Sequence, residues 1–553
     1  MLPSPRKTGP SWQSIAEQAQ KHRDASLALV QPPLPTITDL ALDTSSVPKT
    51  VLTAEELSIT ESDPVTLLSQ LSTGTISSKQ VAQAFLRRAA LAQTLVNCIT
   101  ELLPATALER ASYLDTYLQD NGKPIGPLHG LPISVKEHIG MKDLTLNAGF
   151  ISWHARIGAA NAHILDILLE AGAVLYARTT QPQTLMHLET SSNLYGETLN
   201  PFNRTLTSGG SSGGEGALVG LRGSCLGIGT DIGGSIRSPA ANCGVYGLRP
   251  TSHRLPLEGL SATMLGQEHI VPVIGPLSTS LGGVKVFMKT LVDARPWVRE
   301  PSLLPFAWKT ESQLRVFGAG YKGIKIGVLW DDGVVRPHPP VTRALNTVVA
   351  KLKSLPGVEV VEWKPYKHDW AWTIISSLYF ADGGSEESMA IEASGEPWRP
   401  LSEFIIKDNR NVKKGGLTVR EVWDWTIKRE EYKAEYARLW GDVDVILCPV
   451  GPGAAPPLDH ARYWGYTSQW NLLDYPSLVF PVSRVDPAID VVEVGYVPRN
   501  DKDKYNYDLY EPNKYVNAPV SLQLVGRRYE DEKVVEVLEY LEEKIGLPFE
   551  KFF

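Results

Sequence analysis

The sequence predicts an α/β fold in which a central mixed or mainly parallel β-sheet is flanked by helices on both faces. Three observations predict it. Helix-like and strand-like stretches alternate along most of the chain. The helix-like stretches carry capping signals and apolar residues at helical spacing. The composition, 43% hydrophobic and 21% charged over 553 residues, is that of an ordinary globular protein with enough apolar side chain for a sizeable core.

Residues 1–60 read as an N-terminal arm, a helix followed by an extended piece around "VQPPLPTITD". Helical signals follow. "TAEE" is a capping box at Thr53, Asp63-Pro64 is a cap and first turn, and "SSKQVAQAFLRRAALAQ" opens on a second box at Ser77 with Val81, Phe85 and Ala89 on one face. "LPISVKEHI" reads as a strand. "AHILDILLEAGAVLYART" reads as helix then strand, closed near Gly172, and "SSGGEGALVGLRGSCLGIGT" repeats that order. "YKGIKIGVLW", "PVTRALNTVVAKLKSL" and "VEVVEWKPY" read as strand, helix, strand. A long helix from "VREVWDW" feeds the strand "VDVILCPV". "APVSLQLVG" and "EDEKVVEVLEYLEEKIG" close the chain as strand and helix. Length alone allows three or four domains of ~150 residues, but no internal repeat or long linker divides the chain. The stretch 290–470, rich in Trp and Pro, reads either as a lid over one sheet face or as irregular core helices.

The formal net charge of −7 and the absence of a long Lys/Arg run argue against a general nucleic-acid binder. Cys98, Cys225, Cys243 and Cys448 are widely separated and fit no metal spacing, as expected of buried thiols in a reducing compartment. The N-terminal residues show no apolar signal region, and no stretch reaches ~18 uninterrupted apolar residues. The expectation is a soluble cytoplasmic protein with no membrane span. Oligomeric state is open, a homo-oligomer included.

The stretch "LTSGGSSGGEGALVG", residues 206–220, raises the functional question. A phosphate cradle needs a Lys after its glycines, and here Glu215 follows Gly214. "GIGTDIGG" also misses the dinucleotide pattern, because Ile232 stands where its third Gly belongs. A nucleophile elbow needs a buried strand just before its serine, whereas "NPFNRTLTS" is polar and turn-forming. A third reading pairs the stretch with two others. In "GTDIGGSIRSPA", Ser235 follows two glycines, and consecutive small residues let backbone amides point inward together. In "GPLHGLPISVKEHI", Leu131, Ile133 and Val135 share one strand face while Ser134 and Lys136 share the other. Taken alone, Lys136 reads as a snorkelling edge residue.

Together the three segments resemble the amidase signature family over roughly residues 60–540. "GGSSGGEGALVG" followed by "GTDIGGSIRSPA", with Lys136 upstream, carries the resemblance. It is closest to fungal acetamidase-like enzymes through "GAVLYARTTQPQTLMHLET", "PPVTRALNTVV" and "APVSLQLVGRR". The resemblance implies a single large fold over 61–545 with its core motifs at about 126–255. It implies an amidohydrolase that cleaves a linear carboxamide through a seryl acyl-enzyme, with no cofactor and no metal. Ser235 would be the nucleophile, Ser211 the bridging serine and Lys136 the base. The backbone amides of Ile232, Gly233, Gly234 and Ser235 would form the oxyanion hole, and a cis peptide is implied at Gly210–Ser211.

Lys136 can act as a base only if it is neutral at rest, which requires its pKa to fall from ~10.4 to ~7–8. Burial and the positive end of the helix beginning near Ser212 would both push it down. Ser212 and Thr230 read as hydrogen-bond supports or as ordinary capping and turn residues. Asp231 and Arg237 read as a structural pair that fixes the loop, and Glu215 as a helix-start anion. His129 and His138 read as loop or core histidines, with no second pair at ligand spacing to suggest a metal. Leu185 and Met186, with the 290–470 stretch, are expected near the substrate pocket. The alternatives are an inactive amidase-like scaffold, a tailoring hydrolase or acyl transferase of secondary metabolism, and a glutamine-hydrolysing subunit of a tRNA-dependent amidotransferase.

Overall fold

A computed structural model describes residues 10–309 and 323–550. An eleven-stranded sheet runs through the molecule in the order β1-β3-β2-β6-β8-β7-β12-β13-β11-β9-β10. The first strands are β1 (Ile99–Leu102), β2 (Pro132–Lys136) and β3 (Val174–Thr179), and Ser191–Ser192 (β4) with Gly196–Glu197 (β5) form a separate two-stranded pair. Next come β6 (Leu226–Asp231), β7 (Tyr246–Arg249) and β8 (Val273–Ser278). The far half holds β9 (Ile324–Val328), β10 (Val358–Glu362), β11 (Val445–Pro449), β12 (Ser477–Arg484) and β13 (Pro519–Val525).

The sheet is mixed rather than mainly parallel. Parallel pairing is confined to two blocks, β3-β2-β6 and β11-β9-β10. Between them β8, β7, β12 and β13 pair antiparallel throughout. Each parallel block arises where a helix intervenes. Helix His163–Glu170 connects toward β3 and helix Gly213–Gly220 toward β6, which a parallel crossover requires. Both capping boxes form as their sequences predict, Thr53 with Glu56 and Ser77 with Gln80. Asp63 caps a helix that opens on Pro64.

The main core lies between the sheet and its helices and includes Phe85, Ile133, Val135, Leu226 and Phe480. A second, aromatic core includes Tyr379, Tyr436, Trp440, Trp464 and Trp470. The described part of the 290–470 stretch is divided between the sheet and this second core. Its strands β9, β10 and β11 complete the sheet, whereas helices His368–Tyr379 and Val419–Trp440 contribute aromatic side chains to the second core. The four cysteines are buried and unpaired. Among the described residues no helix is long and apolar enough to cross a membrane.

Candidate active site

The alternation along β2 decides what enters the site. Ile133 and Val135 join the main core. On the opposite face Ser134 Oγ donates to Glu215 Oε2 at 2.6 Å, and Lys136 reaches two hydroxyls, Ser211 Oγ at 2.7 Å and Thr230 Oγ1 at 3.0 Å. Parallel pairing of β2 with β6, Val135 opposite Ile228, brings Thr230 to the lysine end of the strand. Lys136 is wholly buried, so it is no snorkelling edge residue. Burial pulls its pKa down to about 7 against the opposing pull of Asp231 and Glu215.

The glycine-serine stretch folds over this amine. The Gly210–Ser211 peptide is cis. Helix Gly213–Gly220 starts directly behind it, with the Gly213 amide on Thr190 Oγ1 and the Gly214 amide on the Thr180 carbonyl. A Cβ on Gly214 would overlap the Thr180 backbone, so glycine is what lets the helix approach β3. Ser212 is the residue before the helix but makes no side-chain cap. Its hydroxyl instead bridges to β6, accepting from the Thr230 amide at 3.2 Å and lying 3.3 Å from the Thr230 carbonyl. Glu215 is fully buried, accepts from Ser134 and Thr179, and is pushed by burial up to about 7. It is more than a helix-start anion, because it ties that helix to β2 and β3.

Residues 231–237 make a rigid loop. Arg237 grips Asp231 with two hydrogen bonds of 3.0 Å, and both side chains are fully buried. Burial alone would raise the Asp231 pKa, but Arg237 outweighs it and holds the carboxyl well below the usual range. Asp231 also accepts from the Gly234 and Ile236 amides and from Asn471 Nδ2. The expected oxyanion set is thereby narrowed. The Gly234 amide is already taken by Asp231 at 2.9 Å. Among the described residues the amides of Ile232, Gly233 and Ser235 donate to nothing, whereas all four carbonyls of the loop are occupied. Tyr379 Oη donates to the Ile232 carbonyl at 2.8 Å and Thr467 Oγ1 to that of Gly233 at 2.6 Å. The Ser238 and Ser212 amides hold those of Gly234 and Ser235. With every carbonyl tied back, the remaining donors are free to face a ligand oxygen. Gly234 has φ +134°, and a Cβ there would lie 2.5 Å from Thr467 Oγ1.

The Ser212 amide donates to the Ser235 carbonyl at 3.1 Å, which ties the loop of Ser235 to the residue that follows Ser211. Among the described residues Ser235 Oγ has no hydrogen-bond partner, and it is not one of the enclosed polar atoms, so it keeps an open face.

Next to the loop lies a cavity of about 300 Å³ lined by Leu188, Trp372, Phe404, Val450, Trp464 and Thr467. Trp464 and Thr467 also press on Gly233 and Gly234, which joins the cavity to the site. Leu185 and Met186 are not among its lining residues. Leu185 packs with Phe150 and Trp153, and Met186 belongs to the aromatic core. The 290–470 stretch supplies much of the lining, residues 501–521 add to it, and Leu188, Ser238, Ala241 and Asn242 complete it.

Sequence reasoning missed Tyr379, Trp464, Thr467 and Asn471. They lie far along the chain, and the one legible signal was the i, i+4 spacing of Thr467 and Asn471 on helix Gly465–Leu473. His129 is an ordinary buried histidine whose Nδ1 accepts from the Ile125 amide. A cation could be offered ligand atoms by His163, Glu258 and Glu300, which lie within 4.8 Å of one another. These groups are already engaged, His163 with Glu300 and Glu258 with Arg299.

A fully buried amine bonded to a serine, beside a loop of free amides in a mixed α/β sheet, is the arrangement of a serine amidase, a hydrolase of amide carbon–nitrogen bonds. The chain matches the family described as Amidase over residues 80–535 and belongs to it. It is 40% identical to an acetamidase of Aspergillus oryzae over 90% of this chain and 92% of that protein. It is 39% identical to an acetamidase of Emericella nidulans over 90% and 91%. Among solved structures it is similar to a fatty acid amide hydrolase, with a TM-score of 0.91 and 34% identity over 97% of this chain and 95% of that one.

Proposed function

We propose that the protein hydrolyses a linear carboxamide through an acyl-enzyme on Ser235, with Ser211 as relay and Lys136 as base. Ser235 Oγ attacks the amide carbonyl. Its proton passes to Ser211 Oγ while the Ser211 proton passes to Lys136 Nζ. The tetrahedral oxyanion takes hydrogen bonds from the Ile232, Gly233 and Ser235 amides. As the carbon–nitrogen bond breaks, the proton returns from Lys136 through Ser211 to the leaving nitrogen, which departs as ammonia or amine. Water then attacks the ester by the same relay and releases the carboxylic acid.

The observation that carries this reading is the Lys136–Ser211 bond of 2.7 Å around an amine that burial holds near neutrality. A lysine at its ordinary pKa would hold its proton at pH 7 and could take none. The test is mass labelling with a fluorophosphonate. The peptide bearing Ser235 gains the phosphonyl group in the wild type, and Ser235→Ala and Lys136→Ala lose both labelling and amide turnover. Full labelling of Ser235→Ala at another residue would overturn the assignment. Absence of turnover in a labelled wild type across many amides would favour a scaffold.

The substrate follows from the cavity. Acetamide, the substrate that the fungal relatives' name states, has two carbons and leaves most of about 300 Å³ unfilled. The walls of Leu188, Trp372, Phe404 and Val450 suit an apolar group several carbons long. Hydroxylamine trapping across short aliphatic, aromatic and long-chain amides separates hydrolysis from acyl transfer.

A further inference from the structure

His138 is held at three points and belongs to the same hydrogen-bonded chain as the lysine. Its amide donates to Gln181 Oε1 at 3.1 Å. The Ser261 amide donates to its carbonyl. Its ring spans 2.9 Å from Nδ1 to the Ser261 carbonyl and 3.0 Å from Nε2 to Thr230 Oγ1. Thr230 Oγ1 is in turn 3.0 Å from Lys136 Nζ, which is 2.7 Å from Ser211 Oγ.

The direction of every bond follows from one end. A backbone carbonyl can only accept, so His138 Nδ1 carries the ring proton. The ring is neutral, because burial, with the nearby Lys136 charge, pulls it down to about 3. Nε2 is then a bare acceptor, and the single proton of the Thr230 hydroxyl goes to it. Thr230 Oγ1 can therefore only accept from Lys136. We infer that His138 is a positioning residue that denies Thr230 a proton to donate and so reserves the lone pair of the neutral Lys136 amine for Ser211. The inference rests on the reading of Lys136 as base.

Without an acceptor at position 138 the Thr230 hydroxyl turns and donates to the amine. Ser211 then competes for the one lone pair that has to receive its proton. The same turn gives the neutral amine a choice of two O–H donors for that lone pair, which favours the neutral form, so the lysine pKa falls further. Loss of packing with entry of water would move that pKa the other way, toward its ordinary 10.5. The charged groups around the chain are Asp231 and Glu215, which favour the ammonium, and Arg178. Asp231 is fixed by Arg237, and Arg178 by Glu101.

The experiment compares His138→Leu and His138→Phe, which remove the acceptor, with His138→Gln, whose carboxamide offers one donor and one acceptor. Turnover of one amide is measured from pH 5 to 9, with thermal unfolding as a check on folding. The two apolar variants should lose about ten-fold or more in plateau kcat, and their acid limb should move to lower pH. His138→Gln should stay within about three-fold, with its limb near that of the wild type. In a Thr230→Val background, where no hydroxyl can turn, His138→Leu should add less than about three-fold, a non-additivity expected only of coupled residues. An unchanged plateau, an acid limb moved to higher pH, or full additivity would overturn the inference. If neither apolar variant folds, His138→Gln decides, and a ten-fold loss there overturns it. Lys136→Ala, run in parallel, keeps the two readings apart. Turnover in that variant removes the base itself, whereas an inactive Lys136→Ala beside a normal His138→Leu removes only the role of His138.

Discussion

Arg237 and Asp231 face each other through two hydrogen bonds of 3.0 Å with no solvent on either side chain. The pair organises the loop that presents Ser235. Asp231 takes the Gly234 and Ile236 amides, and Arg237 donates to the Thr467 carbonyl and to Asn471 Oδ1. The loop is thereby fastened to helix Gly465–Leu473, which also supplies the hydroxyl that holds the Gly233 carbonyl.

Arg237→Met is expected to destabilise the protein by about 3–5 kcal/mol, because it leaves the Asp231 carboxylate buried and uncompensated. Adding Asp231→Leu should not restore stability, since the Gly234 and Ile236 amides then lose their acceptor. Urea unfolding of the single and double variants measures both. Full recovery in the double variant would show that the carboxylate does not organise the loop.

Lys136→Met is expected to abolish turnover and to stabilise the fold. The gap between the ordinary 10.5 and about 7 corresponds, at ~1.36 kcal/mol per pH unit, to about 5 kcal/mol spent at pH 7 on burying the amine. The lost bonds to Ser211 and Thr230 offset part of this, leaving a net gain of about 1–3 kcal/mol. The sign against pH follows. Between about 7 and 10.5 the unfolded chain binds one more proton than the folded one, so the wild type gains stability from this group as pH rises, and the Met variant lacks that slope. Unfolding curves at pH 7 and pH 9.5 check it, and a less stable Met variant at pH 7 would contradict it.

Much of this site was legible before the fold. The alternation in "PISVK" already put Ser134 and Lys136 together, and the capping signals at Thr53, Asp63 and Ser77 named real helix starts. Strands β7, β8 and β12 were not legible. Pro276 interrupts the pattern of β8, and it stands where β6 is still a partner but the β7 ladder has ended. Pro481 does the same in β12 and marks the register shift there, a position that tolerates a missing N–H. His138 read as a core histidine because nothing in the sequence places Thr230 or Ser261 beside it. The occupied Gly234 amide was hidden for a similar reason, since its acceptor is a carboxylate whose direction depends on Arg237.

Glu215→Gln is expected to move the acid limb of activity to lower pH. The Glu215 charge helps hold the proton on Lys136, so its removal makes the amine easier to deprotonate. Stability should respond separately. Burial raises the Glu215 pKa from 4.5 to about 7, so its protonated form favours the fold fully below pH 4.5 and that stability is lost as pH rises through about 7. The Gln variant should be flatter across this window. A limb that moves upward would mean that the variant has admitted water to the lysine.

The cavity gives the last prediction. Ala454 and Phe404 both line it, and Ala454 is buried. Ala454→Leu adds three carbons at a position that lines this space. A pocket discriminates by about 1–3 kcal/mol for each methylene it fits or excludes. Ala454→Leu should therefore lower kcat/KM for a six- to eight-carbon amide about ten-fold or more while leaving acetamide within about two-fold. Phe404→Ala enlarges the same space and should favour branched or aromatic amides over straight chains of equal length. Acetamide senses only the reaction centre, so it serves as the internal control for damage to Ser235 or Lys136. If Ala454→Leu slows acetamide as much as the longer amide, the space beside the loop does not hold the substrate, and the acyl group must leave the centre by another path.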